Sequence, residues 1–170
     1  RRLDKEWTDH GKLISGTDKP GYGDYWKGSC MDACVVEYES HLYLFFGSFA
    51  GIYYIPLSDD GLSIKEGATA TLIIGGSTEG KRTGDYEGAY IRKMNDKWYF
   101  MGSHGSCCDG QSSTYGVYTM VSKTYSPFGP YVYYDQTTLK EKAGLKATAD
   151  DLSSAGNLVI AGYNEGVRGN

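Results

Sequence analysis

An internal repeat constrains the fold of this chain more than any other feature of its sequence. Residues 32–48 and 87–103 align without gaps at an offset of 55 residues. The alignment keeps an acid, an aromatic residue and a Gly-Ser step in phase: Asp32 with Glu87, Tyr43 with Trp98, and Gly47-Ser48 with Gly102-Ser103. So many matches rarely arise by chance, and a repeat of this length indicates a unit that stacks on copies of itself. The chain therefore builds the same small unit at least twice.

Each copy of the repeat predicts a strand, a tight turn and a second strand. Val, Ile, Tyr, Phe and Trp dominate the apolar runs, and the polar pairs Glu39-Ser40 and Asn95-Asp96 supply the turns. A third strand is predicted after each hairpin, at residues 52–57 and 115–122. The runs are nearly continuously apolar, which indicates sheets that are covered on both faces.

Short antiparallel strands at a period near 50 residues predict an all-β fold of the β-propeller type. At about 55 residues a blade, the 170 residues hold roughly three blades, whereas closed propellers have about four to eight. We therefore expect residues 1–170 to form one partial propeller domain. Its expected parts are the end of a preceding blade (1–25), two blades (26–80 and 81–135) and the start of a following blade (136–170).

The charge balance limits the partners of the chain. There are 17 Lys and Arg residues against 21 Asp and Glu residues, a net charge of −4, and no basic stripe. Nucleic acid and anionic membrane surfaces are therefore not expected as partners. The apolar residues 42–57 are interrupted by Gly47, Gly51 and Pro56, whereas a membrane helix needs roughly 20 mostly apolar positions. We expect no membrane span and an uncharged partner.

The repeated acids are the strongest candidates for chemistry. Asp32 and Glu87 precede the first strand of their copies, and first strands of neighbouring blades begin at the propeller axis, so the two side chains are expected to converge. Two carboxyl groups in one cleft acquire different proton affinities, which is the arrangement that glycosidases use. The alternative interpretation is that both acids only cap turns or face solvent.

Several segments together resemble glycoside hydrolase family 43, and most of all its endo-arabinanases. Paired cysteines followed by Ser-Thr-Tyr, with Gly-Pro-Tyr later in the same unit, are more specific than any single acid. The resemblance covers about residues 25–135. It is carried by Met31-Asp32-Ala33, residues 47–52 (GSFAGI), residues 87–91 (EGAYI), residues 103–115 (SHGSCCDGQSSTY) and Gly129-Pro130-Tyr131.

The resemblance implies a five-bladed propeller that hydrolyses α-1,5-linked arabinan, or a related pentose polysaccharide, with inversion. It assigns Glu87 as the general acid and Asp32 as the residue that orients and tunes that acid. It places the third acid, an Asp acting as general base, in a first blade upstream of Arg1, so we expect this chain to lack it. Ala33 and Ala89 replace prolines that are usual in the family, which leaves the local backbone less constrained.

The remaining site residues are predicted from the chemistry of their side chains, in addition to the resemblance. Phe49 and Trp26 are predicted to stack on sugar rings, and Ser103 and His104 to make polar contacts with the substrate. The expected partner is plant cell-wall arabinan or arabino-oligosaccharides.

No cofactor is expected for the chemistry, and no residue is predicted to bind a metal. The resemblance implies a central calcium ion only in the complete propeller. A zinc site is disfavoured because adjacent cysteines cannot easily ligate one ion together. The residues concerned are Cys30, Cys34, His104, Cys107 and Cys108.

Two alternatives to an endo-acting enzyme stay open at the level of sequence. One is an exo-acting arabinofuranosidase or β-xylosidase, and the other is a non-catalytic carbohydrate-binding or inactive propeller. Because a partial propeller exposes strand edges, another chain or a second copy is expected to complete it. The resemblance also implies a secreted, periplasmic or cell-surface protein.

Overall fold

The computed structural model describes residues 6–15, 30–48, 51–75, 77–78, 81–82, 86–106, 112–135, 138–144 and 157–161. Within these ranges the regular structure is β-strand, and every strand pairing is antiparallel. None of the described residues forms a helix that is long and apolar enough to cross a membrane.

Two sheets contain most of the strands. The first sheet has the order β1 (Cys34–Tyr38), β2 (His41–Phe46), β3 (Ile52–Pro56) and β4 (Thr71–Ile74). A short hairpin follows, formed by β5 (Ser77–Thr78) and β6 (Lys81–Arg82). The second sheet consists of β7 (Glu87–Met94), β8 (Lys97–His104), β9 (Gly116–Ser122), β10 (Tyr131–Asp135) and β11 (Lys140–Ala143), joined by β12 (Leu158–Ala161).

The strands after residue 135 pair with the second sheet. Strand β11 is hydrogen-bonded to β10, and β12 is hydrogen-bonded to the first residues of β9. The blade boundaries proposed from the sequence stay a prediction, because sheet membership alone does not locate them.

The two predicted hairpin turns are present. Glu39, Ser40, Asn95 and Asp96 all have positive φ angles, between 48° and 63°. Positive φ at both central residues is the feature of the two-residue turns whose twist matches that of paired strands. The strands on either side pair directly up to the turns, with Tyr38 opposite His41 and Met94 opposite Lys97.

The second turn lies one residue later than the gap-free alignment implies. Asn95-Asp96 follows Glu39-Ser40 at 56 residues, not 55, so β7 has an additional residue before its turn. Between Glu87 and Tyr90, three steps along β7 oppose two steps along β8, from Ser103 to Met101. A β-bulge at the start of β7 thus takes up the additional residue.

Phe128 joins the two sheets. It lies in the segment between β9 and β10 of the second sheet, yet its ring packs among aromatic rings of the first sheet. The centroid separations are 4.5 Å to Tyr54, 4.7 Å to Tyr43 and 5.5 Å to Tyr38. Phe128 packs against one hydrophobic core to which both sheets contribute. Its buried residues are Val36, Phe45, Ile52, Ile73, Ile74, Tyr86, Ala89, Ile91, Trp98, Phe100, Tyr118, Met120, Tyr131 and Tyr133.

The first sheet is covered on both faces, as its apolar strands predict. Its second face has a core of its own, made by Leu44, Phe46, Tyr53, Ile55 and Leu57. The second sheet instead alternates along β7 between buried and exposed positions, and Tyr90 on its outer face is 44% exposed. Coverage of both faces is therefore confirmed for the first sheet, whereas for the outer face of β7 the prediction is wrong.

We predict that Phe128→Ala destabilises the chain by about 2–3 kcal/mol, because it leaves a cavity between the sheets and the ring is only partly buried. The free energy of unfolding in urea measures this effect. Tyr125→Ala is the matched control, since Tyr125 lies in the same segment and is 82% exposed. Equal losses in the two variants would contradict the role of Phe128 between the sheets.

Candidate active site

Glu87 is the buried centre of the candidate site. It is the first residue of β7 and is 9% exposed. The Tyr115 hydroxyl donates to Oε1 at 2.7 Å, and the Ser48 hydroxyl donates to Oε2 at 3.0 Å. Ser48 follows β2 of the first sheet and Tyr115 immediately precedes β9 of the second. Both carboxyl oxygens are therefore held by hydroxyl groups from different elements.

Asp32 is connected to Glu87 through the backbone of the next residue. The Gly88 amide donates to Asp32 Oδ2 at 3.0 Å. Gly88 lies within the bulge at the start of β7 and has a φ of +63°, which a glycine adopts without strain. The two acids that the repeat aligns are thus brought together, Asp32 from the first sheet and Glu87 from the second.

The two acids differ in their surroundings. Glu87 is buried, whereas Asp32 is exposed and has a positive φ of 58°. Asp adopts this backbone conformation more readily than most residues, because its short polar side chain forms local hydrogen bonds. The loop before β1 is therefore shaped to present the Asp32 carboxylate to the Gly88 amide.

The Gly-Ser step of the first copy has a steric explanation. A Cβ atom on Gly47 would overlap the carbonyl oxygen of Gly51, and Gly47 has a φ of +127°. Only glycine fits there, and the close approach holds the next residue, Ser48, fully buried against Glu87. In the second copy the matching serine, Ser103, lies opposite Glu87 in the β7–β8 ladder.

Tyr115 is held as a hydrogen-bond donor. Burial, and then its hydrogen bond to Glu87, raise the pKa of Tyr115 to about 12, although a hydrogen bond from Ser103 acts in the opposite direction. The phenol is therefore protonated at any neutral or moderately alkaline pH. Tyr115 therefore donates its phenolic proton to Glu87 throughout that pH range.

His104, which was predicted to contact substrate, ends β8 beside this network. Its ring is half-buried and meets the ring of Tyr86 edge to face, with a centroid separation of 5.7 Å. The structure thus places Asp32, Glu87, Ser103 and His104 at the same end of the two sheets. Their roles, substrate binding by Ser103 and His104 included, stay predictions.

The other residues predicted for the site, Phe49 and Trp26, lie outside the described residues, as do Cys107 and Cys108. Two functional candidates were missed by sequence reasoning, Ser48 and Tyr115. The sequence did carry a signal for each: Ser48 keeps phase in the repeat, and Tyr115 ends the segment that resembles the family. Among the residues placed by the structure, no group of three or more His, Cys, Asp or Glu side chains could hold a metal ion.

Comparison with known proteins identifies relatives of this chain. The model of one protein family, glycosyl hydrolases family 43, matches residues 1–160. A probable arabinan endo-1,5-alpha-L-arabinosidase D of Emericella nidulans is 28% identical over 94% of this chain and 41% of its own length. Probable arabinan endo-1,5-alpha-L-arabinosidase A of Aspergillus oryzae is 32% identical over 63% of this chain and 30% of its own length.

Solved structures share the fold. An endo-arabinanase from Bacillus licheniformis superposes with a TM-score of 0.60 and 24% identity, over 91% of this chain and 45% of that one. The all-β, propeller-type fold predicted from the sequence is confirmed. The chain spans less than half the length of each relative named here.

We predict that Tyr115→Phe lowers the free energy of unfolding by about 1–2 kcal/mol near neutral pH, since Glu87 loses one of its donors. The folded-state pKa of Tyr115 is raised above the ordinary value of 10.0, so its contribution is fully present below pH 10. It is lost as the pH rises through about 12. The difference in free energy of unfolding between the unaltered protein and Tyr115→Phe should therefore decrease between those pH values.

Urea denaturation of both proteins at a series of pH values measures this difference. Tyr125→Phe serves as the control, because that tyrosine is exposed. An advantage that stays constant up to pH 12 would show that the Tyr115 phenol is not held by Glu87.

Proposed function

This chain belongs to glycosyl hydrolases family 43, and we propose that it supplies the proton donor, Glu87, of an enzyme that hydrolyses α-1,5-linked arabinan with inversion. The observation that supports this role is the fixed orientation of the Glu87 carboxyl group by Ser48 and Tyr115. The names of the relatives support the substrate class. Because the chain spans less than half of those relatives, the activity is a proposal for the whole protein.

The two hydroxyl groups suit a carboxyl group that gives its proton away. A general acid must hold its proton within about 2.6–3.2 Å of the leaving oxygen. Once Glu87 has protonated the glycosidic oxygen, it is a buried carboxylate, and hydrogen bonds from Ser48 and Tyr115 stabilise that charge. The raised pKa of Tyr115, about 12, keeps the phenol from releasing its own proton instead.

Asp32 is proposed as a positioning residue for this acid. Its carboxylate accepts the Gly88 amide and so fixes the backbone on the C-terminal side of Glu87. It also adds a negative charge near Tyr115 that contributes to the raised pKa of that phenol. Asp32 thus acts on Glu87 through the backbone, and its charge acts on Tyr115.

Inversion requires a second carboxylate that activates water on the opposite face of the sugar, roughly 6.5–9.5 Å from the acid. We propose that this base comes from outside the described residues, in line with the first-blade Asp that the family resemblance implies. A central calcium ion is proposed only for the complete propeller, since the described residues include no group of three or more His, Cys, Asp or Glu side chains that could hold a metal ion.

The proposed substrate is plant cell-wall arabinan or arabino-oligosaccharides. Ser103 and His104 border the Glu87 network and would contact sugar hydroxyl groups, while Phe49 and Trp26 are proposed to stack on furanose rings. A polymer outside the plant cell requires an enzyme outside the cell that makes it, which is why we propose a secreted, periplasmic or cell-surface location. An exo-acting arabinofuranosidase or β-xylosidase would use the same acid.

We predict that Glu87→Gln lowers kcat on linear arabinan by about 10²–10⁴-fold, because the amide cannot protonate the leaving oxygen. The loss should be much smaller on an arabino-oligosaccharide with a dinitrophenyl leaving group, which departs without protonation. Release of reducing sugar and of dinitrophenol by the whole protein measures the two rates.

Glu37→Gln is the matched control, since Glu37 is an exposed residue of β1. Equal losses on the two substrates would contradict the role of Glu87 as proton donor. Arabino-oligosaccharide binding without hydrolysis by the unaltered protein would instead support a non-catalytic carbohydrate-binding propeller.

We predict that Asp32→Ala lowers kcat by about 10–100-fold with little change in KM, as expected for loss of an orienting contact. Asp32→Asn should retain more activity, because its amide oxygen can still accept the Gly88 amide and Asn tolerates the positive φ. Steady-state kinetics on linear arabinan measures both variants. If Asn were no better than Ala, the backbone contact would not be the means by which Asp32 acts.

A further inference from the structure

A cavity of about 200 Å³ lies on the second sheet at the end remote from Glu87. Lys97, at the start of β8, lines it, and Ser103, which pairs with Glu87, lies six positions further along the same strand. At about 3.3 Å a residue, roughly 20 Å separates the two places. The cavity is therefore distinct from the candidate active site. Its other polar and aromatic lining residues include Ser122, Lys123, Thr124, Tyr125 and Glu141.

Tyr125 presents an aromatic ring at the edge of this cavity. Its side chain is 82% exposed, but the segment that carries it is ordered by short-range hydrogen bonds. The Thr124 hydroxyl donates to the Gly129 carbonyl at 2.9 Å, and the Ser126 amide donates to Thr124 Oγ1 at 3.3 Å. An aromatic ring on an ordered loop can accept a sugar ring at little cost in conformational entropy.

The two lysines that line the cavity differ in their ion pairing. Lys123 is paired with Glu141 at 2.6 Å. Lys97 forms no ion pair with any residue that the structure describes, so its ammonium group can bind a further anion. This is notable in a chain whose net charge is −4, because the chain as a whole repels anions.

We infer that this cavity binds one carboxylate-bearing sugar unit of a polysaccharide. The ring of that unit stacks on Tyr125, and its carboxylate pairs with Lys97. The volume is below the roughly 300–1,000 Å³ of sites for drug-sized ligands, which suits one sugar unit and not a longer segment. The enzyme would then hold an acidic polysaccharide at a place separate from hydrolysis. The inference does not depend on the proposed role of Glu87.

Titration of the whole protein with tri-galacturonic acid, followed by NMR, tests the inference. Amide shifts should cluster at Lys97 and at residues 122–125. Affinity should fall by about tenfold or more in Tyr125→Ala and in Lys97→Gln, and it should weaken between about 0.05 M and about 0.5 M salt because exposed charge pairs are screened. Tyr134→Ala and Lys65→Gln are the matched controls and should bind as the unaltered protein does.

Three outcomes would overturn the inference. The first is the absence of shifts at the cavity. The second is equal binding of the neutral methyl ester of the same trisaccharide, or of arabinotriose, which would remove the role of the carboxylate. The third is loss of binding in Glu87→Gln, which would place the sugar at the candidate active site. Unchanged binding in Glu87→Gln supports the inference whether or not that variant hydrolyses arabinan.

Discussion

Two hydrogen bonds that cross between the sheets are the interactions on which the candidate site depends. Ser48 of the first copy donates to Glu87 of the second, and the Gly88 amide of the second donates to Asp32 of the first. Each sheet thus gives one donor and one acceptor. Because neither sheet alone holds a complete set of partners for Glu87, the packing of the sheets, with Phe128 between them, determines the geometry of the site.

Two acids that align in the repeat have different surroundings in the structure, and these surroundings suit them to different roles. Asp32 and Glu87 occupy the same position of the repeat, yet one is exposed and the other is buried. The β-bulge at the start of β7 lies between the paired residues Glu87 and Tyr90, and within it the Gly88 amide donates to Asp32. A carboxyl group that is buried and hydrogen-bonded suits proton transfer, whereas an exposed one suits orientation.

The repeat predicted the hairpins, their turns and the convergence of Asp32 with Glu87, because strand patterns and turn residues are local properties of the sequence. Tyr115 and Phe128 were not predicted. Both lie in or beside irregular segments, and where such side chains reach depends on the packing of whole sheets. The bulge was also missed. The second copy has one more residue before its turn and one fewer after it than the first copy, so the two copies have equal length and align without a gap.

The reciprocal hydrogen bonds also bear on how such a site originated. Ser48 donates to the acid of the following unit, so an ancestral chain with one copy of the unit would have had no such donor for its acid. Gene duplication would have supplied the donor and the acceptor at once. The two acids now differ in burial although both are carboxylic acids, and the turn of the second hairpin lies one residue later than that of the first.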